Sequence, residues 1–257
     1  PPRPQVVYSR SRRLSGACRL SAIASLSAAF MIRLGSTCPQ GRVKGSRSVV
    51  MRADASRPNG IFQPMRVRDR LTAATAELMQ RHGVAGTGIA QILETSGVTR
   101  RSIYLNFPGG KAELVAAATQ SAGDEMTTTL RSYLGQPDPV AAFIRMWSDA
   151  LVSTDFQNGC PLVAAACSRD EAPEAATAAA ALFSGWAGLL AERLAADGIA
   201  PDVAETLSTT VIAAIEGAVI LCRAEQSTTP LDRVSHHLSE LISMHRPDSR
   251  HPRRAAT

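Results

Sequence analysis

Thr87 to Leu114 reads TGIAQILETSGVTRRSIYLNFPGGKAEL, and the spacing inside this stretch decides the fold. Thr87 offers a hydroxyl to the free amides of a first helical turn, and Ile89, Ile92 and Leu93 recur behind it at three-and-four spacing. Ser96-Gly97 ends that helix, because a glycine takes the left-handed conformation that closes a helix and turns the chain. Val98 is then a buried pivot. Thr99 caps a second short helix whose inward side is Ile103 with part of Tyr104, so that Thr99, Arg100, Arg101 and Ser102 face outward at its N-terminal end. Two short helices about a tight glycine turn, with an aromatic-rich exit into a longer helix, are the layout of a DNA-reading helix-turn-helix. In such units the N-terminal residues of the second helix meet base edges in the major groove. Two consecutive arginines there either serve a guanine edge bidentately or hold phosphates, and the sequence leaves both open.

The run GVTRRSIYLNFPGGKAEL resembles the signature of the tetracycline-repressor (TetR) family, and its FPGGK form is similar to the multidrug-responsive branch of that family. The specific part of the resemblance covers residues 66–114, with turn glycine, capping threonine, aromatic, Phe and Lys in register. It implies phosphate contacts from Thr87 and Tyr104, a reading surface from Thr99 to Ser102, and a phosphate clamp at Lys111. One position departs from the pattern: Asn106 stands where a histidine is usual before the Phe. Asparagine still hydrogen-bonds a phosphate but never carries charge, so a weaker electrostatic grip is expected there.

Upstream, Val67, Leu71, Ala74, Leu78 and Met79 recur on one face from Arg66 until Gly83 stops the pattern. This helix is expected to pack across the helix-turn-helix pair and complete a core with Val84, Ile89, Ile92, Leu93, Val98, Ile103 and Phe107, the last as core and not as a base contact. Pro108-Gly109-Gly110 then breaks the direction of the chain. A helix from Lys111 to about Leu134 follows, whose free amides and positive dipole end favour a phosphate.

Beyond Gln136-Pro137-Asp138-Pro139 the punctuation divides the body into helices over 138–154, 173–196, 201–226 and 230–244, with a short apolar segment from Cys160 to Cys167 that reads as buried. Phe143, Met146, Trp147, Phe183 and Trp186 supply the aromatic and thioether groups that a mostly apolar ligand site requires, with Met126, Cys160 and Cys167 near them. Packing of those residues against one another is the competing account. Glu216, alone in an apolar helix, faces either a ligand's polar group or a salt bridge within a dimer. The last two helices are too apolar for solvent-covered surface helices. The family resemblance implies that they form a four-helix dimer interface, in which small positions such as Ala214, Gly217 and Ala218 allow close approach. Two-fold readers of this kind meet half-sites about 34 Å or a multiple apart.

The low aromatic fraction of 4% and abundant alanine argue for an all-α protein. Its layout is an N-terminal three-helix helix-turn-helix domain over 65–112, then a C-terminal helical ligand-binding and dimerisation domain over 113–245. The formal charge of +6 is unevenly placed: residues 1–64 hold eleven Arg and Lys against Asp54, a net +10, so the other residues sum to −4. Residues 65–113 carry seven basic and four acidic groups, a local +3, which leaves a basic head on an acidic body. Residues 1–64 and 246–257 read as disordered basic tails. The first is either a DNA-attracting arm or a mis-assigned start, since Met31, Met51 and Met65 all precede the first helix. Its apolar run from Leu20 to Ile32 is too short to span a membrane, and a cytoplasmic location is expected.

Five cysteines make no zinc spacing, and adjacent His236 and His237 point about 100° apart on a helix, so no metal or other cofactor is expected. No nucleophile elbow, phosphate loop or paired catalytic carboxylates occur, which leaves an enzyme without support. The expected partners are an operator in double-stranded DNA, a second copy of the chain, and a small apolar or aromatic effector. The rival reading is a DNA-binding dimer with no effector.

Overall fold

The computed structural model describes residues 65–247, all within one compact unit, and the expectations for residues 1–64 and 248–257 lie outside them. Among the described residues the fold is all-helical: α1 (Val67–His82), α2 (Ile89–Ser96), α3 (Arg100–Asn106), α4 (Gly110–Leu134), α5 (Pro139–Ser153), α6 (Pro161–Ala166), α7 (Pro173–Ala196), α8 (Pro201–Glu225) and α9 (Thr229–His245). The starts follow the expected punctuation. Proline sits in the first turn of α5, α6, α7, α8 and α9, where its missing N–H costs nothing. Asp138 caps α5 by accepting the Ala141 amide at 3.0 Å.

The head is built on α1. Leu71 and Leu78 meet Ile92 of α2, Ile103 and Phe107 of the α3 region, and Leu114 of α4, all buried, with Ile89, Leu93, Val98 and Ala117 packed around them. Two residues assigned to this core from the sequence belong elsewhere: Met79 and Val84 pack into the larger core of the body. Val67, placed on the apolar face, is 38% exposed because it lies in the first turn, ahead of the residues that α2 and α3 cover. The starting signal of α2 is also different from that expected. Thr87 is fully buried and its Oγ1 donates to the Gly83 carbonyl at 2.6 Å. Gly88 is the N-cap instead, its amide donating to Gln91 Oε1 at 2.9 Å.

Long-range hydrogen bonds from α1 finish the two short helices. Arg70 Nη2 donates to the carbonyls of Ser96 at 2.6 Å and Gly97 at 3.2 Å, at the end of α2. Arg68 Nη1 donates to the Asn106 carbonyl at 2.6 Å, at the end of α3, and its guanidinium lies 4.2 Å from the centre of the Phe107 ring.

In the body, α4 packs on α7, α7 on α8, and α8 on α9, with α5 and α6 closing the sides. Ile144, Trp147, Leu151, Leu162, Leu194 and Leu231 are among its most deeply buried side chains. At Gly123 of α4 an added Cβ would run into the Leu182 side chain, so the absence of a side chain sets how closely α4 and α7 approach. By length and composition α7 and α8 could each cross a membrane; here they pack on one another, each with one face buried. The segment Cys160 to Cys167 is only partly buried, since α6 turns Ala166 and Cys167 to the surface. Arg246, counted with the C-terminal tail, is held by Asp197 at 2.9 Å.

The head core is small and Phe107 is its largest member. Phe107→Ala should lower the urea-unfolding free energy by about 3 to 5 kcal/mol. A loss under about 1 kcal/mol would show that the ring is not a keystone of the head.

Candidate nucleic-acid interface

The turn between α2 and α3 has the geometry that its residues require. Gly97 has φ 64° and ψ 29°, and its amide closes α2 on the Leu93 carbonyl at 2.9 Å. Thr99 is extended, and its Oγ1 accepts the Ser102 amide at 3.4 Å and lies 3.0 Å from Ser102 Oγ. This cap fixes the first turn of α3 and leaves Arg100 and Arg101 at the surface, neither tied to an acidic partner among the described residues.

Behind them, Tyr104 is 50% and Leu105 70% exposed, while Ile103 between them and the arginines is fully buried. A Cβ at Gly110 would lie 3.7 Å from the Tyr104 ring, which places that ring beside the entry to α4. Leu105 was not singled out from the sequence. Its signal was there, since a residue two places after the buried Ile103 points away from the core, and an exposed leucine on such a surface suits a thymine methyl.

The eight residues expected to touch DNA therefore fall into two groups. Thr99, Arg100, Arg101, Ser102 and Tyr104 share one outward surface on α3 and its cap. Thr87, Asn106 and Lys111 are engaged with the protein itself. Thr87 is buried, as described above. The Asn106 amide donates to the Ser102 carbonyl at 2.8 Å, and Lys111 Nζ donates to the Val84 carbonyl at 3.0 Å. The N-terminal end of α4, expected to favour a phosphate, already holds a carboxylate: Glu113 Oε2 accepts the Gly109 amide at 2.8 Å.

In the body the five expected ligand contacts do not converge. Phe143 and Trp186 line a cavity of about 30 Å³ with Leu130, Val140, Ile215 and Glu216. Met146, Trp147 and Phe183 lie outside it. Phe183 sets its edge on Trp186 at 5.3 Å, Tyr133 does the same to Phe143 at 6.2 Å, and Trp186 Nε1 donates to Thr127 Oγ1 at 2.8 Å. The aromatics pack on their neighbours, and the space left among them holds little more than a water.

A larger void, about 190 Å³ and partly open, lies where the end of α1 meets α6 and α8. Its walls include Met79, Gln80, Cys160, Val163, Glu216 and Arg223. Glu216 borders both cavities. Burial pushes its carboxyl up to about 7, although a hydrogen bond with Cys160 acts the other way. The Cys160 thiol is driven well above its ordinary range by burial and by the neighbouring Glu216. Cys160 and Cys167 flank α6 at its two ends, one buried and one exposed. His236 and His237 both lean on Glu240, at 3.3 and 3.9 Å, on the exposed side of α9.

Comparison with known proteins places this arrangement. Residues 71–118 match the model for bacterial regulatory proteins of the tetR family, and residues 138–237 match the C-terminal domain of LmrA/YxaF-like transcriptional regulators. An uncharacterised HTH-type transcriptional regulator of Mycobacterium tuberculosis is 34% identical over 187 residues, covering 70% of this chain and 96% of that protein. The HTH-type transcriptional regulator LmrA of Bacillus subtilis is 32% identical over 187 residues, covering 68% and 96%. A TetR transcriptional regulator from Chloroflexus aurantiacus has a similar fold, with a TM-score of 0.59 at 26% identity over 70% of this chain and 96% of that one. A cysteine mutant of the TetR family regulator CifR, complexed with 26-base-pair operator DNA, shares the fold with a TM-score of 0.56 at 22% identity over 73% and 98%.

The raised Glu216 carboxyl has a consequence for stability. A group whose folded value is above its unfolded one stabilises fully below the unfolded value, and that contribution is lost as pH rises through the folded value. The window runs from about 4.5 to about 7. Glu216→Gln should remove this decline and leave the protein more stable than the parent at pH 8 by on the order of 2 to 3 kcal/mol, with little difference at pH 4.5. Urea denaturation at the two pH values measures it, and parallel pH dependence in both proteins would contradict the assignment.

Proposed function

The chain belongs to the TetR family of bacterial transcriptional regulators, and from that premise we propose that it is a sequence-specific repressor, bound to a palindromic operator as a homodimer and released by a small apolar or aromatic effector. Its relatives are DNA-binding regulators and not enzymes. The observation that carries the DNA-reading assignment is the outer face of α3. Arg100, Arg101, Tyr104 and Leu105 are exposed together, on a helix whose other face is locked by the fully buried Ile103 and Phe107. Arginines with no acidic partner among the described residues supply both guanine recognition and phosphate attraction, and Leu105 adds an apolar contact. Thr99 and Ser102 hold the first turn in place and present their hydroxyls beside the arginines. Lys111 acts chiefly by fixing the loop at Val84, and Asn106 by stiffening α3. A cytoplasmic location goes with a soluble DNA-binding regulator.

The dimer reading rests on α8 and α9. Ala213, Gly217, Ile220, Leu221 and Ala224 follow one another along α8 at helical spacing; Ala213, Ile220, Leu221 and Ala224 are exposed, and at Gly217 a Cβ would meet nothing within 4 Å. Met244 of α9 adds a further exposed apolar group. Ala218, expected at such an interface, is instead buried within its own subunit. An exposed apolar stripe of this length on two adjoining helices favours a second copy.

Effector control is supported by the match to the LmrA/YxaF-like C-terminal domain and by the FPGGK form of the exit from α3. The rival reading, a dimer with no effector, draws on the close packing around Phe143 and Trp186. The two separate in one measurement. Under the first, compounds of the right class lower the affinity for the DNA beside the chain's own gene; under the second, none does.

Arg101→Ala should weaken binding to that operator by roughly 1 to 3 kcal/mol more than binding to unrelated DNA, by fluorescence anisotropy at fixed salt. Equal loss on both DNAs would reduce Arg101 to a phosphate contact. Leu221→Glu should leave the subunit folded, because the side chain is exposed, while sedimentation shows a monomer and operator affinity falls with it. A dimeric Leu221→Glu protein would place the interface elsewhere.

A further inference from the structure

The last carbonyls of a helix have no partner inside it, and only part of the C-terminal end of α1 is finished from within the head. The Gly83 amide donates to the Met79 carbonyl at 3.0 Å, but the next two carbonyls are met by the body. The Gly159 amide donates to the Gln80 carbonyl at 2.9 Å, and Arg223 Nη2, in the last turn of α8, donates to the Arg81 carbonyl at 3.3 Å. We propose that Arg223 is a positioning residue for DNA reading: from α8 it fixes the setting of α1, and through α1 that of the reading surface. That it thereby sets the spacing of two heads rests on the dimer reading of α8 and α9; that it holds the head to α8 does not.

The contact is built from several sides. The same Nη2 donates to the Gln157 carbonyl at 3.0 Å, so one guanidinium pins the end of α1 to the loop between α5 and α6. Its charge strengthens both bonds and lies at the negative end of the α1 dipole. Gly159 leaves room for it, since a Cβ there would come within 2.6 Å of Nη1. Asn158 bridges Gln80 and Arg81 with the two ends of its side chain, at 3.1 and 3.0 Å. The loop that carries Gln157, Asn158 and Gly159 is preset by Asp155 and Phe156, both in the left-handed region with φ 50° and 56°.

The consequence for the head is one of leverage. With sixteen residues α1 is about 24 Å long, so a tilt of about 5° at its C-terminal end moves its far end by about 2 Å. Near that far end Arg68 and Arg70 hold α3 and α2. Met79 and Val84 also bind the head to the body, but apolar packing has no preferred direction. Hydrogen bonds weaken steeply when bent, so the guanidinium resists the tilt that packing allows.

The place of Arg223 on α8 is the second observation. Ile220, Leu221 and Ala224, exposed on the stripe offered to a second copy, lie within three residues of it. The partner contact and the α1 contact therefore leave from one turn of helix, with few joints between them. Once one head is bound, the second engages its half-site only as often as its setting allows, so a loose α1 costs most on DNA with two half-sites.

Spin labels at Glu94→Cys on α2 and Glu192→Cys on α7, both exposed positions, report the head-to-body distance by pulsed electron paramagnetic resonance. The full chain is used with Cys18, Cys38 and Cys167 changed to Ser, diluted with unlabelled chain so that only pairs within a subunit are read. The parent should give one narrow distance. Arg223→Ala should broaden it, Arg223→Lys should recover most of the narrowness, and Gly159→Ala, whose Cβ displaces the guanidinium from the loop side, should broaden it too. Unchanged widths in Arg223→Ala and Gly159→Ala would overturn the hold on α1, and Gly159→Ala decides alone if Arg223→Ala does not fold. A second arm uses the palindrome beside the chain's own gene and the same DNA with one half-site scrambled. Arg223→Ala should lose about tenfold or more on the first and less than about twofold on the second. Equal loss on both, with the dimer intact by sedimentation, would overturn the spacing role. A monomeric parent would overturn that role together with the dimer reading, while the label distances still decide the hold on α1.

Discussion

Helices of eight and seven residues do not persist in water by themselves, and everything that α3 does depends on α1 holding it and α2 in shape. The hold is of two kinds. Leu71 and Leu78 supply an apolar bed, and Arg70 and Arg68 satisfy the carbonyls that the two short helices leave open at their C-terminal ends. These bonds are charge-assisted and directional, so they fix the angle of each helix end as well as its position. The surface of Arg100, Arg101, Tyr104 and Leu105 is in this sense shaped by residues of α1.

That arrangement changes what the local charge of +3 means. Arg68 and Arg70 are engaged with carbonyls, Lys111 holds Val84, and Glu113 occupies the start of α4. Among the described residues of α3 and its cap, Arg100 and Arg101 are the cations, neither with an acidic partner. Phosphate attraction grows with the number of charges that meet the backbone, so a single head has a modest grip. Under the proposed pairing through α8 and α9 that grip would double, with the exposed stripe around Leu221, far from α3 in sequence, supplying the contact.

The elements were legible in the sequence because their signals are local. Three-and-four spacing marked α1, α2 and α8, proline and glycine marked the ends, and Thr99 and Gly97 behaved as their chemistry dictates. Thr87 was misread because two neighbouring residues could each cap α2; the decisive partner was Gln91, which stands three residues after Gly88 and not after Thr87. Asn106 and Lys111 have protein partners that the expectation of phosphate contacts did not include. Asn106 turns back on the Ser102 carbonyl of its own helix, whereas Lys111 reaches a carbonyl 27 residues away, a partner set by the fold. No spacing rule contains that distance. Aromatic size alone cannot separate a pocket from a core: Phe183 packs on Trp186 and Tyr133 on Phe143. Glu216 was visible as an oddity in an apolar helix, but Arg223 and Gln80 look like ordinary helix-end residues until α8 is seen to pass beneath α1.

Head and body are not separate bodies on a tether. α1 buries Leu71 and Leu78 in the head while Met79 belongs to the body, and α4 does likewise with Leu114 in one core and Val115 and Ala118 in the other. Each of these helices is stiff over its whole length, so a movement at one core is carried to the other. A ligand among the body helices changes DNA affinity only if it binds one setting of α1 better than another, since equal affinity for both shifts nothing. The places where that preference can arise are the contacts that differ when α1 moves. In the apolar interior those contacts are many, weak and alike. At the end of α1 they are few and directional: Arg223, Gly159 and Asn158 meeting Gln80 and Arg81. The directional contacts between body and α1 are therefore concentrated at this junction, where a displacement would trade specific hydrogen bonds and not merely packing.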